Sequence, residues 1–92
     1  MRSKTKAEKE RLQAVADLPC CVSGETFNVV VHHCGTGMGR QKDHFKTIPL
    51  ADRLHSPYSP DGLHHLGRRK WEQINGVTEE ELLEKTNRML GV

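Results

Sequence analysis

The sequence is poor in aromatic residues and has no long hydrophobic run. Of its 92 residues, 4% are aromatic and 35% are hydrophobic, which allows one domain with a small core. A domain this small often needs a further stabilising element, and a metal ion bound at a site formed on folding is one. No stretch of about 18 apolar residues is present, so we expect no membrane-spanning helix and no membrane partner.

The N-terminus lacks the apolar segment of a secretory signal peptide, because residues 1–11 hold five basic and two acidic side chains. The three cysteines do not suggest a disulfide framework. We therefore expect a cytoplasmic protein. Cys20 and Cys21 are expected to be buried as small apolar side chains, and Cys34 is expected to pack rather than to bind metal.

The net charge of +2 is only mildly basic, but the basic residues form two clusters. One is the N-terminal run, which includes Lys4 and Lys6, and the other is Arg68, Arg69 and Lys70. Two such clusters in a small domain are typical of phosphate contacts. For the N-terminal run alone, a solvated charged face explains the sequence equally well.

Hydrophobic periodicity and helix-breaking residues predict an α+β domain. In the first part of the chain we expect a helix over 4–16, a β-hairpin over 20–34 with its turn at 23–25, and an extended segment over 45–50. The second part is expected to contain the start of a helix at 50–55, a loop over 56–62, one helix over 63–74 and a last helix. Thr78 and Glu81 form the capping box that opens this last helix, and Trp71 is expected in the core.

All six histidines lie between positions 32 and 65, namely His32, His33, His44, His55, His64 and His65. Histidine is the commonest metal ligand and the usual general base near neutral pH, so this clustering favours a metal site. Neighbours on a strand point to opposite faces, so an adjacent pair can have one member on the metal and one facing a substrate.

A hydrolytic metal site needs a few fixed ligands, an open coordination position and a base for the attacking water. His32 or His33, His55, and His64 or His65 can supply these groups from three separate elements. The glycine-rich loop over 35–43 lies beside them in sequence and can bring backbone amides close to a phosphate.

Two segments resemble the HNH endonuclease motif, also called the ββα-metal or His-Me finger motif. Residues 29–50, VVVHHCGTGMGRQKDHFKTIPL, resemble its two strands, with a His-His pair ending the first and Pro-Leu ending the second. Residues 51–76, ADRLHSPYSPDGLHHLGRRKWEQING, resemble its helix and the segment after that helix. The stretch GLHHLGRRKWEQING is similar to phage recombination-enhancement nucleases of the Ref type, which are RecA-dependent HNH enzymes. The resemblance covers about residues 17–90.

The resemblance implies a ββα-metal core with flanking helices, divided into a basic N-terminal helix or arm (1–16) and an HNH nuclease domain (17–92). It implies that His32, His55 and His64 hold or surround a metal ion and that His33 is the general base. The implied activity is hydrolysis of DNA phosphodiester bonds with Mg²⁺ or Mn²⁺, with Zn²⁺ also bound. The implied partners are DNA and RecA filaments.

The chain departs from the family pattern at two points. The central Asn, which tethers the loop carrying the base, has no match, and Asp43 or His44 lies near its place. We therefore take Asp43, His44 and His65 as possible supporting residues of the site. A four-cysteine structural zinc site is also absent, because its other positions hold Ser23, Ala51 and Leu54.

Basic residues near the histidines are candidates for DNA contact. The candidates are Arg40 and Lys42 of the glycine-rich loop, Arg68, Arg69 and Lys70 beside His64 and His65, and Lys4 and Lys6 of the first helix.

Two other functions compete with a nuclease. A zinc-stabilised DNA-binding module would show a closed site with four ligands, and an inactive HNH-fold interaction protein would agree with the missing Asn.

Overall fold

The computed structural model describes residues 4–35 and 43–92. Within these residues the chain is a small α+β domain, as predicted, with a two-stranded antiparallel sheet and helices around it. In chain order the elements are α1 (Lys6–Ala16), β1 (Val29–His33), β2 (Thr47–Ala51), α2 (Asp52–His55), α3 (Leu63–Leu66), α4 (Arg68–Asn75) and α5 (Glu79–Leu90). No helix within the described ranges is both long enough and apolar enough to cross a bilayer.

The sheet pairs β1 with β2, so that Val29 lies opposite Ala51 and His33 lies opposite Thr47. All five residues of β2 are buried, whereas in β1 only His32 is buried and the others are partly exposed. Both α1 and α5 contact β2, which explains why its residues are buried without alternation. The His-His pair at the end of β1 therefore lies beside the buried strand β2.

The predicted hairpin over 20–34 is wrong. Residues 20–24 form a turn, in which the Gly24 amide donates to the Cys20 carbonyl at 2.9 Å. The Cys21 amide donates to the Pro49 carbonyl at 3.0 Å, so this turn is attached to β2. The strand partner of β1 comes from later in the chain, namely Thr47–Ala51. Cys20 and Cys21 are buried in the core, as predicted.

Helix α1 begins at a capping box made by Thr5 and Glu8. The Glu8 amide donates to Thr5 Oγ1 at 3.1 Å, and the Thr5 amide donates to Glu8 Oε1 at 2.8 Å. Its last turns dock against the domain, since Val15 is fully buried. In the first turn Glu8 is also buried, whereas Lys6, Ala7, Lys9 and Glu10 are exposed.

Arg11 ties α1 to two other elements. Its guanidinium donates to the Thr47 carbonyl at 2.9 Å and to Asn87 Oδ1 at 2.7 Å. Burial lowers the pKa of Arg11, although neighbouring Cys34 and Asp43 oppose this. One side chain of α1 thus joins β2 and α5.

The hydrophobic core lies between β2 and the helices that follow it. Trp71 is fully buried, as predicted, and belongs to a cluster that also contains Cys20, Cys21, Ile48, Leu50, Ala51, Leu54, Leu63 and Leu82. The predicted single helix over 63–74 is wrong at one position, because Gly67 separates α3 from α4 with φ of +85°. A side chain at that backbone conformation would be strained. The predicted capping box of Thr78 and Glu81 is present at the start of α5.

Candidate metal centre

His32 is a buried histidine at the end of β1. It lies opposite Ile48 in the sheet, and 3% of its surface is exposed. Its Nε2 atom lies 2.6 Å from Oε2 of Glu79, the first residue of α5. A carboxylate beside a buried imidazole holds the ring in one orientation, so His32 is fixed before any ion binds.

His55 ends α2 and His64 lies in the first turn of α3, and the loop over 56–62 brings them together. This loop is closed by backbone hydrogen bonds from the Ser59 amide to the Ser56 carbonyl and from the Gly62 amide to the Ser59 carbonyl. A Cβ atom on Gly62 would lie 1.8 Å from the Ser56 carbonyl oxygen, so only glycine fits. The tight turn therefore sets the distance between the two histidines.

The three histidines His32, His55 and His64, called here the histidine triple, meet around one point. Their ring centroids are 5.2, 5.6 and 4.5 Å apart, and one nitrogen of each lies within 4.8 Å of the others. The Nε2 atoms of His55 and His64 are 3.2 Å apart. Two nitrogens bound to one tetrahedral zinc at 2.0–2.1 Å would be separated by about 3.3 Å. The spacing is that of two ligands of one ion.

The triple is buried on one side and open on the other. His32 is buried, His55 is half-buried and His64 is exposed. Among the described residues, no fourth histidine, cysteine or carboxylate joins the three within the same distance. A site with three protein ligands and an exposed side leaves coordination positions for water or substrate.

The electrostatics of the triple favour a neutral imidazole at His55. Burial, followed by repulsion from His32 and His64, lowers the pKa of His55 from 6.5 to about 4. His55 is therefore uncharged at neutral pH, with a lone pair that can bind a cation. Neutral imidazoles packed this closely can share one cation through their lone pairs.

A second group shares His32 and contains Cys34 and Glu79. Burial raises the pKa of Cys34 to about 12, with the charge of Glu79 adding to the effect, so the thiol is protonated at neutral pH. Cys34 also packs against the core, as predicted. Burial opposes ionisation of Glu79, but hydrogen bonds from His32 and from the Gly35 amide outweigh it and lower the pKa of this carboxyl. A protonated thiol is a poor ligand, so this group is the weaker candidate.

His33 faces a different set of neighbours from His32. Its Nε2 lies 3.0 Å from Nδ1 of His44, and it lines an open groove with Val31 and with residues of α1. Asp43 accepts a hydrogen bond from the Phe45 amide at 2.9 Å and so shapes the turn before β2. Of the two residues near the place of the missing Asn, His44 contacts His33.

His65 lies outside the histidine triple, although it is adjacent to His64 in sequence. It is exposed, and its Nδ1 lies 3.2 Å from the Pro57 carbonyl, which it can reach as a donor. The structure therefore brings together His32, His55 and His64 of the predicted site, whereas the ring of His65 on α3 contacts the connecting loop.

The basic candidates for DNA contact are all exposed where the structure describes them, namely Lys4, Lys6, Arg68, Arg69 and Lys70. Lys4 lines the groove beside His33, together with Lys9. Arg68 lines a separate cleft that also contains Cys34 and Glu79. Arg40 and Lys42 lie outside the described residues.

Glu79 was not among the residues predicted from the sequence. The only local signal is an acidic residue in the first turn of a capped helix, which is common because it suits the helix dipole. Its contact with His32 joins residues 47 positions apart, so no spacing rule could have found it. Lys9 was likewise placed in the N-terminal basic run without any sign that it lies near His33.

Comparisons with known proteins assign no family to this chain. No protein-family model matches it, and no curated protein matches it. Its function is therefore inferred from the site and from the motif resemblance.

Proposed function

We propose that this protein is a metal-dependent DNA endonuclease with the ββα-metal (HNH) core. The observation that carries the proposal is the open histidine triple: three imidazoles from β1, α2 and α3 converge, and His64 leaves one side exposed. A purely structural zinc site closes its coordination with four protein ligands, whereas a hydrolytic site keeps a position for water. The order of β1, β2 and α2, with histidines at the ends of β1 and α2, supports the same proposal.

The donor set bears on which ion is held. Imidazole nitrogens suit zinc and other transition ions, whereas Mg²⁺ prefers oxygen ligands and retains several waters. We therefore propose that His32, His55 and His64 hold Zn²⁺ tightly. The motif resemblance, rather than the donor set, suggests that Mn²⁺ or Mg²⁺ supports cutting. Such an ion, when bound, polarises the phosphate and stabilises the charge that develops on it.

His33 is the proposed general base. Its imidazole accepts the proton of the attacking water, while the contact with His44 Nδ1 limits rotation of the ring. His33 follows His32 directly on β1, so the proposed base is adjacent in sequence to one proposed metal ligand. His44 thus takes the part that the motif resemblance gives to the missing Asn.

The groove beside His33 is the proposed path of the DNA backbone. We call it the α1 groove, and it is lined by Lys4, Lys9, Leu12, Gln13, Ala16, Val31 and His33. Lysines on its wall attract phosphates and release counterions on binding. Arg68, Arg69 and Lys70 are proposed as a second contact, and Lys6 as a weaker one. The resemblance to Ref-type nucleases further suggests that RecA filaments direct the cutting.

The test is a nicking assay on single- and double-stranded DNA with Mg²⁺ or Mn²⁺, with and without RecA and ATP. We expect cutting by the wild type and a loss of about 100- to 10,000-fold in His33→Ala, the range for a lost general base. Metal content measured on the same samples must be unchanged in His33→Ala. Equal nicking by the two proteins would remove His33 from the mechanism, and zinc binding without any cutting would favour the DNA-binding module.

A further inference from the structure

Glu79 is a buried carboxylate that reaches the candidate metal centre from the last helix. Only 6% of its surface is exposed, and its Oε2 lies 2.6 Å from His32 Nε2. The other oxygen, Oε1, accepts a hydrogen bond from the Gly35 amide at 3.0 Å. Glu79 therefore contacts a proposed ligand and the residue that begins the glycine-rich segment.

Capping of α5 does not require the Glu79 side chain. Thr78 and Glu81 already form the capping box, and the Glu79 amide donates to Glu72 Oε2 at 2.7 Å. Its neighbour Glu80 is exposed in the same first turn and already places a negative charge near the positive end of the helix dipole. The dipole therefore does not require the buried carboxylate of Glu79. Burying a carboxylate carries a desolvation cost that needs strong partners to offset it. The partner in this case is a proposed metal ligand.

The chemistry of the contact determines which His32 nitrogen is left for an ion. A carboxylate has only acceptors, so the proton of the 2.6 Å contact belongs to His32 Nε2. A neutral imidazole with a proton on Nε2 has its lone pair on Nδ1. The carboxylate also makes the ring a stronger electron donor toward a cation at the opposite nitrogen.

We propose that Glu79 is the positioning residue of the metal centre, holding His32 in the Nε2-protonated form so that Nδ1 binds the ion. This inference rests on the proposed metal site. It also makes the docking of α5 and metal binding interdependent, because one carboxylate contacts His32 and starts that helix. A competing arrangement puts an ion on the other side of His32, with Cys34 and Glu79 as ligands.

The test compares Glu79→Gln with Glu80→Gln, which removes the same charge from the next residue of the helix. Affinity for Zn²⁺ and Co²⁺ is measured by competition with a chromophoric chelator. We expect a 10- to 100-fold loss in Glu79→Gln, the range for outer partners of metal ligands, and no loss in Glu80→Gln. Circular dichroism and thermal unfolding in chelator show whether each variant is folded.

A second measurement uses the wild type alone and does not depend on any variant folding. Long-range ¹H–¹⁵N spectra of the metal-free protein report which nitrogen of His32 carries the proton. We expect protonated Nε2 in the wild type, because the Glu79 carboxylate can only accept a hydrogen bond. A wild-type His32 protonated on Nδ1 would overturn the proposal.

The outcomes separate this inference from the proposed function. A wild type that binds no Zn²⁺ or Co²⁺ contradicts the metal site itself. A wild type that binds the ion, with equal affinities in Glu79→Gln and Glu80→Gln, contradicts only the role of Glu79. A thiolate-to-cobalt charge-transfer band in the Co²⁺ protein, lost in Cys34→Ser, would establish the competing arrangement and overturn the proposal.

Discussion

His32 and His33 are neighbours on β1, yet their surroundings differ in almost every property. His32 is buried, held by Glu79, and close to two further imidazole rings, with centroids at 5.2 and 5.6 Å. His33 is partly exposed and lines the α1 groove beside two lysines. Holding an ion requires fixed, neutral nitrogens, whereas reaching a phosphate backbone requires access and positive charge. The alternation of a strand separates these two tasks between adjacent residues.

The histidine triple gives the largest expected effect. His55→Ala removes one of three ligands, and we expect Zn²⁺ affinity to fall by more than the ~10- to 100-fold typical of an outer partner. The gain in thermal stability on adding metal should disappear with it, since that gain depends on binding. Chelator competition and calorimetry measure the two quantities.

His65→Ala is the matched control, because it removes an exposed histidine next to the triple. Its zinc affinity should equal that of the wild type. If His55→Ala kept its zinc, His55 would be excluded from the site; if His65→Ala lost it, the assignment of His64 over His65 would be wrong.

Arg11 is not one of the proposed metal ligands. We therefore expect its replacement to change the stability of the domain rather than its metal binding. Arg11→Ala removes hydrogen bonds to Thr47 and Asn87 and leaves their oxygens without this donor. Bonds to a charged group contribute about 1.5–3 kcal/mol, so we expect unfolding free energy to fall by about 2 kcal/mol in urea titrations. Zinc affinity should stay constant. Arg11→Lys should recover part of the stability, because it keeps the charge without the planar fork.

Lys9 tests whether the α1 groove contacts DNA. In a His33→Ala background, where DNA is bound without cutting, Lys9→Ala should lower the slope of log K against log salt concentration by about 1. Arg88→Ala removes one positive charge from a different groove and should leave the slope unchanged. Equal slopes in all three proteins would show that no phosphate lies at Lys9.

The smallest effect concerns a second adjacent pair, Cys20 and Cys21. Burial raises the pKa of Cys21 from 9.0 to about 12. For Cys20, burial also acts to raise the pKa, but hydrogen bonds involving Ser23 outweigh it and the pKa is lowered. Between pH 9 and 12 the unfolded chain therefore loses the Cys21 proton first, and stability falls as pH rises.

We expect the stability advantage of wild type over Cys21→Ala to shrink above pH 9, by at most about 1.4 kcal/mol per pH unit. Urea unfolding at pH 8, 9 and 10 measures this advantage. Cys20→Ala is the control and should show no such alkaline loss. A pH-independent difference for Cys21→Ala would mean that its thiol titrates normally.

Local signals in the sequence were sufficient for the capped helices. The capping box of Thr78 with Glu81 depends on residues three positions apart, and α5 begins there as predicted. The box of Thr5 with Glu8 has the same spacing but was not predicted. The break at Gly67 was missed because a glycine is tolerated inside a helix and its positive φ is visible only in the structure. The hairpin over 20–34 was predicted from a turn that is present at 20–24. The error was to pair β1 with the residues before that turn, whereas its partner is β2, later in the chain.

The candidate site divides in the same way. The number and clustering of histidines predicted a metal site, and the family resemblance implied His32, His55 and His64, which converge. Whether His64 or His65 faces the site depends on the backbone of the four-residue helix α3. Glu79 lies 47 positions after His32 in the sequence, so its contact with His32 depends on the fold. Residue type marks which side chains have the chemistry for a site, but long-range packing decides which of them meet.

By itself, the sequence determined that this chain has a small core, capped helices, and all of its six imidazoles between positions 32 and 65. These properties follow from composition and short-range spacing, which do not depend on how distant parts of the chain pack. Only the tertiary structure decided that His32 and His33 face different surroundings and that Glu79 holds the first of them. These contacts depend on packing between distant parts of the chain, in which β2 is buried between helices. A polar group that becomes buried by this packing needs a hydrogen-bond partner, and that partner can come from any element that packs nearby.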